Sequence, residues 1–335
     1  MYTRLNAIFA QGTGQTKFKS ILTWGFTFAV TSAIVYYLLG ETDKVTQLLT
    51  VRPVNLIWLF GAWLLLSIPR ALVQKVTARK LGVDLDFIDW YGLSMVTNLI
   101  NMFVPARGDY LVSAAYLKKK YSFPFKHFGS MVYGNAVLLA VVLTIEGCVA
   151  LVLIGITEDE WNLTVWWAII AVGIVALPFA LFSQRYLKGE HWIIRKLRTA
   201  LEGWELLRSD SSYIVQMVLL IMASSFVFFL WMYVSYYTLD FSVRVIPLFF
   251  AAIATQMSFF FSLTPGNLGV REALVGFISD MTGLGFAEGV TITLLQRAVS
   301  TIAFVIMGGL FGLIMWQDLM RGQDEPSEHN GQHEQ

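Results

Sequence analysis

The apolar run from Ile246 to Asp280 is broken in its middle by Ser262-Leu-Thr-Pro-Gly-Asn-Leu-Gly-Val-Arg-Glu272. Pro265 removes a backbone donor, and Gly266 and Gly269 favour non-helical backbone, so no helix continues through them. Arg271 and Glu272 follow at once, close to Phe259, Phe260, Phe261 and Leu263. Irregular backbone at membrane depth is tolerated only where protein or a water-filled cavity covers it. A charge at mid-depth costs about 3 kcal/mol on insertion scales, so it is normally paired or functional. The stretch therefore predicts the tip of a re-entrant hairpin that lines a polar site.

The rest of the chain supplies the membrane setting. Of its 335 residues, 56% are hydrophobic and 14% charged, against about 25% charged in soluble domains. Apolar runs near 20 residues recur along the whole length, which predicts an all-α polytopic membrane protein. A net charge of +1, with no basic block interleaved with aromatics, gives no reason to expect nucleic acid as a partner. Cys148 is the one cysteine and reads as a small core residue. There is no Gly-x4-Gly-Lys-Ser/Thr motif for ATP hydrolysis. No cofactor or metal is expected. His329 and His333 lie in a polar tail, and Asp84, Asp86 and Asp89 read as a solvated helix start whose acids favour the dipole.

Six full spans are expected, at Ile21–Leu39, Val54–Val73, Phe128–Ile156, Leu163–Ser183, Ser212–Leu239 and Val290–Trp316. Trp90–Val104 is too short to cross and ends in Pro105-Ala-Arg107-Gly108-Asp109. With the short helix Tyr110–Leu117 it predicts a second re-entrant hairpin. Residues 1–20 form a cytoplasmic N-terminal segment, and residues 317–335 a disordered cytoplasmic tail. Residues about 187–208 are basic and amphipathic. They suit a helix lying on the membrane surface, or a connecting helix packed on the protein.

Charge selects the topology. If both broken segments are re-entrant, residues 1–20, 70–89, 118–126, 184–211 and 317–335 share one side and hold 18 of the 24 Lys and Arg. If both cross instead, the cations split more evenly between the sides, which the positive-inside rule disfavours. The preferred layout puts both termini in the cytoplasm. It makes the halves about 21–156 and 163–316 an inverted repeat within a single transmembrane domain, 21–316.

Six ionisable residues fall within apolar stretches: Arg107, Asp109, Glu146, Arg271, Glu272 and Arg297. They can neutralise one another as buried ion pairs. They can also serve a substrate, since guanidinium groups grip phosphate oxygens in a bidentate fork and broken helix ends add N–H donors. Arg107, Asp109, Arg271, Glu272 and Arg297 are then the binding residues, with Asn267, Gly266 and Gly269 at the turn. Glu146 is a candidate for ion pairing or proton coupling. Asn98, Asn101 and Gln256 are further hydrogen-bonding candidates.

Pro-Ala-Arg-Gly-Asp109, Thr-Pro-Gly-Asn-Leu-Gly-Val-Arg-Glu272 and Gln296-Arg297 resemble the lysylphosphatidylglycerol synthase transmembrane region, the flippase-like family, over about residues 15–316. The first motif is one residue shorter at its tip than is usual there. The resemblance implies a multi-pass protein of the cytoplasmic (inner) membrane that moves or modifies lipids. The aminoacylating members carry a large soluble catalytic domain after the membrane region. Here about twenty polar residues follow Trp316, so the synthase reaction is not expected. The expected function is a lipid transporter acting on a phospholipid or lipid-linked substrate, rather than an enzyme. A membrane enzyme acting on lipid phosphates, or an accessory subunit of a lipid-modifying complex, is the alternative. A second copy of the chain and a lipid-modifying enzyme are the open partners.

Overall fold

The computed structural model describes residue 32 and residues 51–103, 108–158, 163–181, 191–261, 264, 267–281 and 285–324. Among these every regular element is helical. The helices are α1 (Pro53–Lys80), α2 (Leu93–Phe103), α3 (Gly108–Tyr121), α4 (Phe125–Glu158) and α5 (Leu163–Leu181). They are followed by α6 (Trp192–Arg208), α7 (Ser211–Thr238), α8 (Val245–Met257), α9 (Val270–Met281), α10 (Phe286–Ala303) and α11 (Gly309–Asp324). A wide π turn, Ile88–Gly92, leads into α2, and a second, Phe304–Gly308, joins α10 to α11.

Among the described residues, four helices are long and apolar enough to cross a membrane: α1, α4, α7 and the continuous α10–α11 rod. The span expected at Leu163–Ser183 forms α5, where Ile170–Leu181 is a shorter apolar helix. The span expected at Ile21–Leu39 lies outside the described residues, apart from Ser32, which is helical.

The long helices start and stop where sequence chemistry allows. Pro53 opens α1, where its missing N–H is no loss, and Arg79 and Lys80 close it on the negative end of the dipole. Asp210 caps α7 by accepting from the backbone N–H of Ser212 at 2.8 Å and of Tyr213 at 3.2 Å. The same carboxylate pairs with Lys80. That contact sets the end of α1 beside the start of α7, and the two helices pack antiparallel as the central pair.

The two hairpins enter from opposite ends. α2 and α3 rise only ~16 and ~21 Å at 1.5 Å per residue, well short of a ~30 Å hydrocarbon core. Their open ends are tied together by Asp89, which is completely buried. Asp89 accepts from Tyr116 Oη at 2.5 Å, from Lys120 Nζ at 2.7 Å and from Tyr121 Oη. Lys120 also reaches Asp318 on α11, 3.9 Å away. So Asp89 is a buried clamp, not the solvated helix start expected from the run of three acids. A carboxylate can be wholly buried here because three donors replace its water.

The second hairpin opens at the other end. α8 begins a few residues after α7 stops, and α9 returns to place Ser279 Oγ 2.6 Å from Tyr236 Oη near the end of α7. Each first arm packs against the last long helix of the opposite half: α8 against α4, and α2 against Phe304–Gly308. Gly308 makes the second contact close. A Cβ there would stand 3.0 Å from Met95 O and from Leu99 Cβ.

The C-terminal part of the apolar stripe of α6 is covered by protein. Leu201, Trp204 and Leu207 are buried against α4. Trp204 Nε1 and Arg208 Nη1 donate to Ala180 O at 3.1 and 3.2 Å, satisfying a carbonyl at the end of α5.

Removing the Asp89 carboxylate strands a cation and two hydroxyls. Asp89→Ala is expected to cost about 3 kcal/mol, the usual loss on breaking a buried pair from one side. Asp89→Asn, which still accepts from the tyrosines, should lose less. Thermal melting in detergent, followed by gel filtration, measures both.

Candidate functional site

The end of hairpin two is built around Glu272. Gly269, with φ +83°, turns the chain where a side chain would strain it, and Asn267 takes φ +56°, which Asn tolerates. Asn267 Nδ2 donates to Ser258 Oγ at 3.2 Å, holding the turn to the end of α8. Glu272 sits in the first turn of α9 and reaches back to accept from the Gly269 N–H at 2.7 Å. This is the reciprocal arm of a capping box. Its other oxygen accepts from Arg297 Nε of α10 at 2.6 Å. One carboxylate therefore satisfies an orphan helix-end donor and anchors the hairpin to the last long helix.

Arg271 is buried and points the other way. Its Nη2 donates to Gln296 Oε1 at 2.6 Å, and Gln296 Nε2 donates on to Ser235 Oγ at 2.9 Å. Its guanidinium stacks against α7, with Cζ 5.6 Å from the centre of the Trp231 ring. Trp231 meets Phe228 edge-on at 5.7 Å, and Arg70 of α1 stacks over Phe228 at 5.2 Å. Two arginines from opposite halves thus flank one aromatic pair on α7, and Arg271 lies within electrostatic reach of Arg70 and Arg297.

A polar cavity of about 380 Å³ lies on the Arg70 side. Hairpin one contributes Asn98, Asn101 and Asp109, and hairpin two contributes Gln256 and Phe260. α1 adds Arg70 and Gln74, α4 adds Asn135, and α7 adds Ser224. Arg70 Nε donates to Ser224 Oγ at 3.4 Å. Arg70 keeps an exposed surface. It stands on the wall of the cavity.

The structure thus separates the residues singled out in the sequence. Asp109, Asn98, Asn101 and Gln256 line the cavity. Arg271, Glu272, Arg297, Asn267 and Gly269 form the fastening behind it. Glu146 stands apart on α4, facing Ser225 of α7. Arg107 and Gly266 lie outside the described residues.

Sequence reasoning missed Arg70, Gln74 and Asn135. Arg70, near the end of the expected span Val54–Val73, counts with the cytoplasmic residues 70–89 in the charge argument, whereas α1 runs on to Lys80. The signal was present in the helical spacing of Arg70, Gln74 and Thr77, which share one face. Thr77 Oγ1 sits 3.0 Å from Asn135 Oδ1 and donates to it, continuing that polar stripe to α4.

Glu272 and Arg297 should behave as a coupled unit. Glu272→Ala and Arg297→Ala are each expected to destabilise the protein, and the double variant by about 1–3 kcal/mol less than the sum. Melting of the four proteins in one detergent gives the coupling directly; strict additivity would refute it.

The family model described as the lysylphosphatidylglycerol synthase TM region matches residues 24–308. No curated protein matches the chain. The matched residues take in both hairpins, the cavity wall and the Glu272–Arg297 pair, and the chain belongs to the lysylphosphatidylglycerol synthase transmembrane-region family.

Proposed function

We propose that this protein moves a phospholipid or lipid-linked headgroup between the leaflets of the cytoplasmic membrane, and makes or breaks no covalent bond. The observation that carries this reading is the polar cavity walled by both hairpins inside an otherwise apolar bundle. A charged headgroup entering hydrocarbon loses its water at a cost of several kcal/mol. Asn, Gln and Arg side chains already in place substitute for that water. The acyl chains stay in the bilayer.

Arg70 is the phosphate-binding group in this proposal, because a guanidinium fork matches phosphate oxygens and Arg70 faces the open space. Asp109 offers a second charged contact on the opposite hairpin. Arg271, Glu272 and Arg297 hold hairpin two in the position that forms the wall. The two hairpins opening at opposite ends, and the matched packing of each first arm on the other half's last helix, support an inverted repeat of six spans and two re-entrant segments. In such a repeat a midplane site can be reached from either side. The charge distribution favours cytoplasmic N- and C-termini.

Vesicles holding purified protein and acyl-labelled phospholipid test this. Wild type is expected to move label between leaflets with the lipid chemically unchanged. Arg70→Ala should slow that movement about tenfold, the worth of one charge-assisted hydrogen bond. Arg271→Ala should slow it as well while the protein remains folded. A new lipid product on chromatography would instead identify an enzyme, and movement only in the presence of a lipid-modifying enzyme would identify an accessory subunit.

A further inference from the structure

Five amides stand on the wall of the cavity among apolar and aromatic side chains. Gln74 on α1, Asn98 and Asn101 on α2, Asn135 on α4 and Gln256 on α8 all line it. Their hydrogen-bonding capacity is largely unused. Gln256 is 3% exposed, and its Nε2 has no hydrogen-bond partner. Gln74 and Asn101 make no hydrogen bond to another described residue. Asn98 uses only its Nδ2, donating to Ser94 O at 2.7 Å, and Asn135 only its Oδ1, accepting from Thr77. A buried amide donor left unmatched costs about 1–3 kcal/mol, so a ligand that matches it gains what the empty site lacks.

We infer that the headgroup recognised here is rich in hydroxyls: a polyol or glycosyl phosphate diester, not an amine-bearing one. A hydroxyl both donates and accepts, as an amide does, so several amides converging from four helices match several hydroxyls in either sense. An ammonium group only donates, and is best met by carboxylates. Among the described wall residues Asp109 is the one acid and Arg70 the one cation. Arg70 suits the phosphate diester that links such a headgroup to its lipid. A quaternary amine calls for aromatic faces around it. Tyr110 and Phe128 of the wall instead meet edge-to-face at 6.3 Å. The volume of about 380 Å³ is within the range of small-ligand sites.

The inference rests on the translocation reading for its role in the membrane, but headgroup recognition can be measured without any lipid movement. Detergent-purified protein is titrated with glycerophosphoinositol, glycerophosphoglycerol, glycerophosphoethanolamine and glycerophosphocholine, with thermal shift and calorimetry as readouts. The inositol compound is expected to bind at least about tenfold more tightly than the two amine compounds, since a site built for hydroxyls discriminates strongly against analogues lacking them. Gln256→Ala and Asn101→Ala should each shrink that preference while the glycerophosphoethanolamine affinity stays within about twofold, a pattern that general misfolding would not give. Equal or stronger binding of the amine compounds, or no binding by any of the four, overturns the inference. In the vesicle assay, movement of phosphatidylinositol and phosphatidylethanolamine at equal rates would leave translocation standing and sink only this inference. Selective binding of glycerophosphoinositol with no lipid movement would do the reverse.

Discussion

Hydrocarbon offers a peptide group no hydrogen-bond partner, and every irregular feature of this protein answers to that constraint. The chain interrupts its helices twice, and at each hairpin one carboxylate gathers donors from separate elements. Asp89 joins the two arms of hairpin one through two tyrosines and Lys120. Glu272 joins the turn of hairpin two to α10 through Gly269 and Arg297. An acid suits this task because one carboxylate has about four lone-pair sites and can accept from several donors at once. Both acids are nearly or wholly removed from solvent, so their partners are obligatory.

The fastening frees the space between the hairpins to be polar. Arg271 and Arg297 fasten hairpin two to Gln296 and Glu272, and Arg70, bonded to Ser224, stands on the cavity wall. The division follows from geometry. Arg271 and Arg297 lie on helices that pack closely on one another, α9 and α10. Arg70 lies on α1 where it faces the gap left by two short helices. Phe228 and Trp231 on α7 stand between these regions, with Arg70 over one ring and Arg271 over the other. The binding wall and the structural network therefore share a rigid aromatic element, and a displacement of α7 would be felt by both.

Much of the architecture was legible before any coordinates. The long apolar runs at Val54, Phe128, Ser212 and Val290 became long helices because nothing else in them could satisfy a backbone in lipid. Trp90–Val104 was too short to cross, and Pro265 with Gly269 had to end a helix. Those two facts pointed to hairpins, and both were found to turn back. The pairing of Glu272 was foreseeable only as a choice among six intramembrane charges. The role of Asp89 was misread, because one of three acids at a helix start looks solvated until Tyr116, Lys120 and Tyr121 are known to stand around it. The π turn at Phe304–Gly308, where α2 passes close to Gly308, left no mark in the hydropathy.

The sequence by itself determined that this chain lives in a bilayer, where its helices break, and which family it resembles. These are properties of local backbone chemistry and of composition, and neighbours in sequence suffice to set them. Only the tertiary structure decided which arginine faces the cavity and which fasten hairpin two. It also brought Gln74, Asn98, Asn101, Asn135 and Gln256 to one wall from four different helices. Whether a polar side chain is satisfied or left open depends on what packs across from it, and that is set by contacts between residues far apart in the chain.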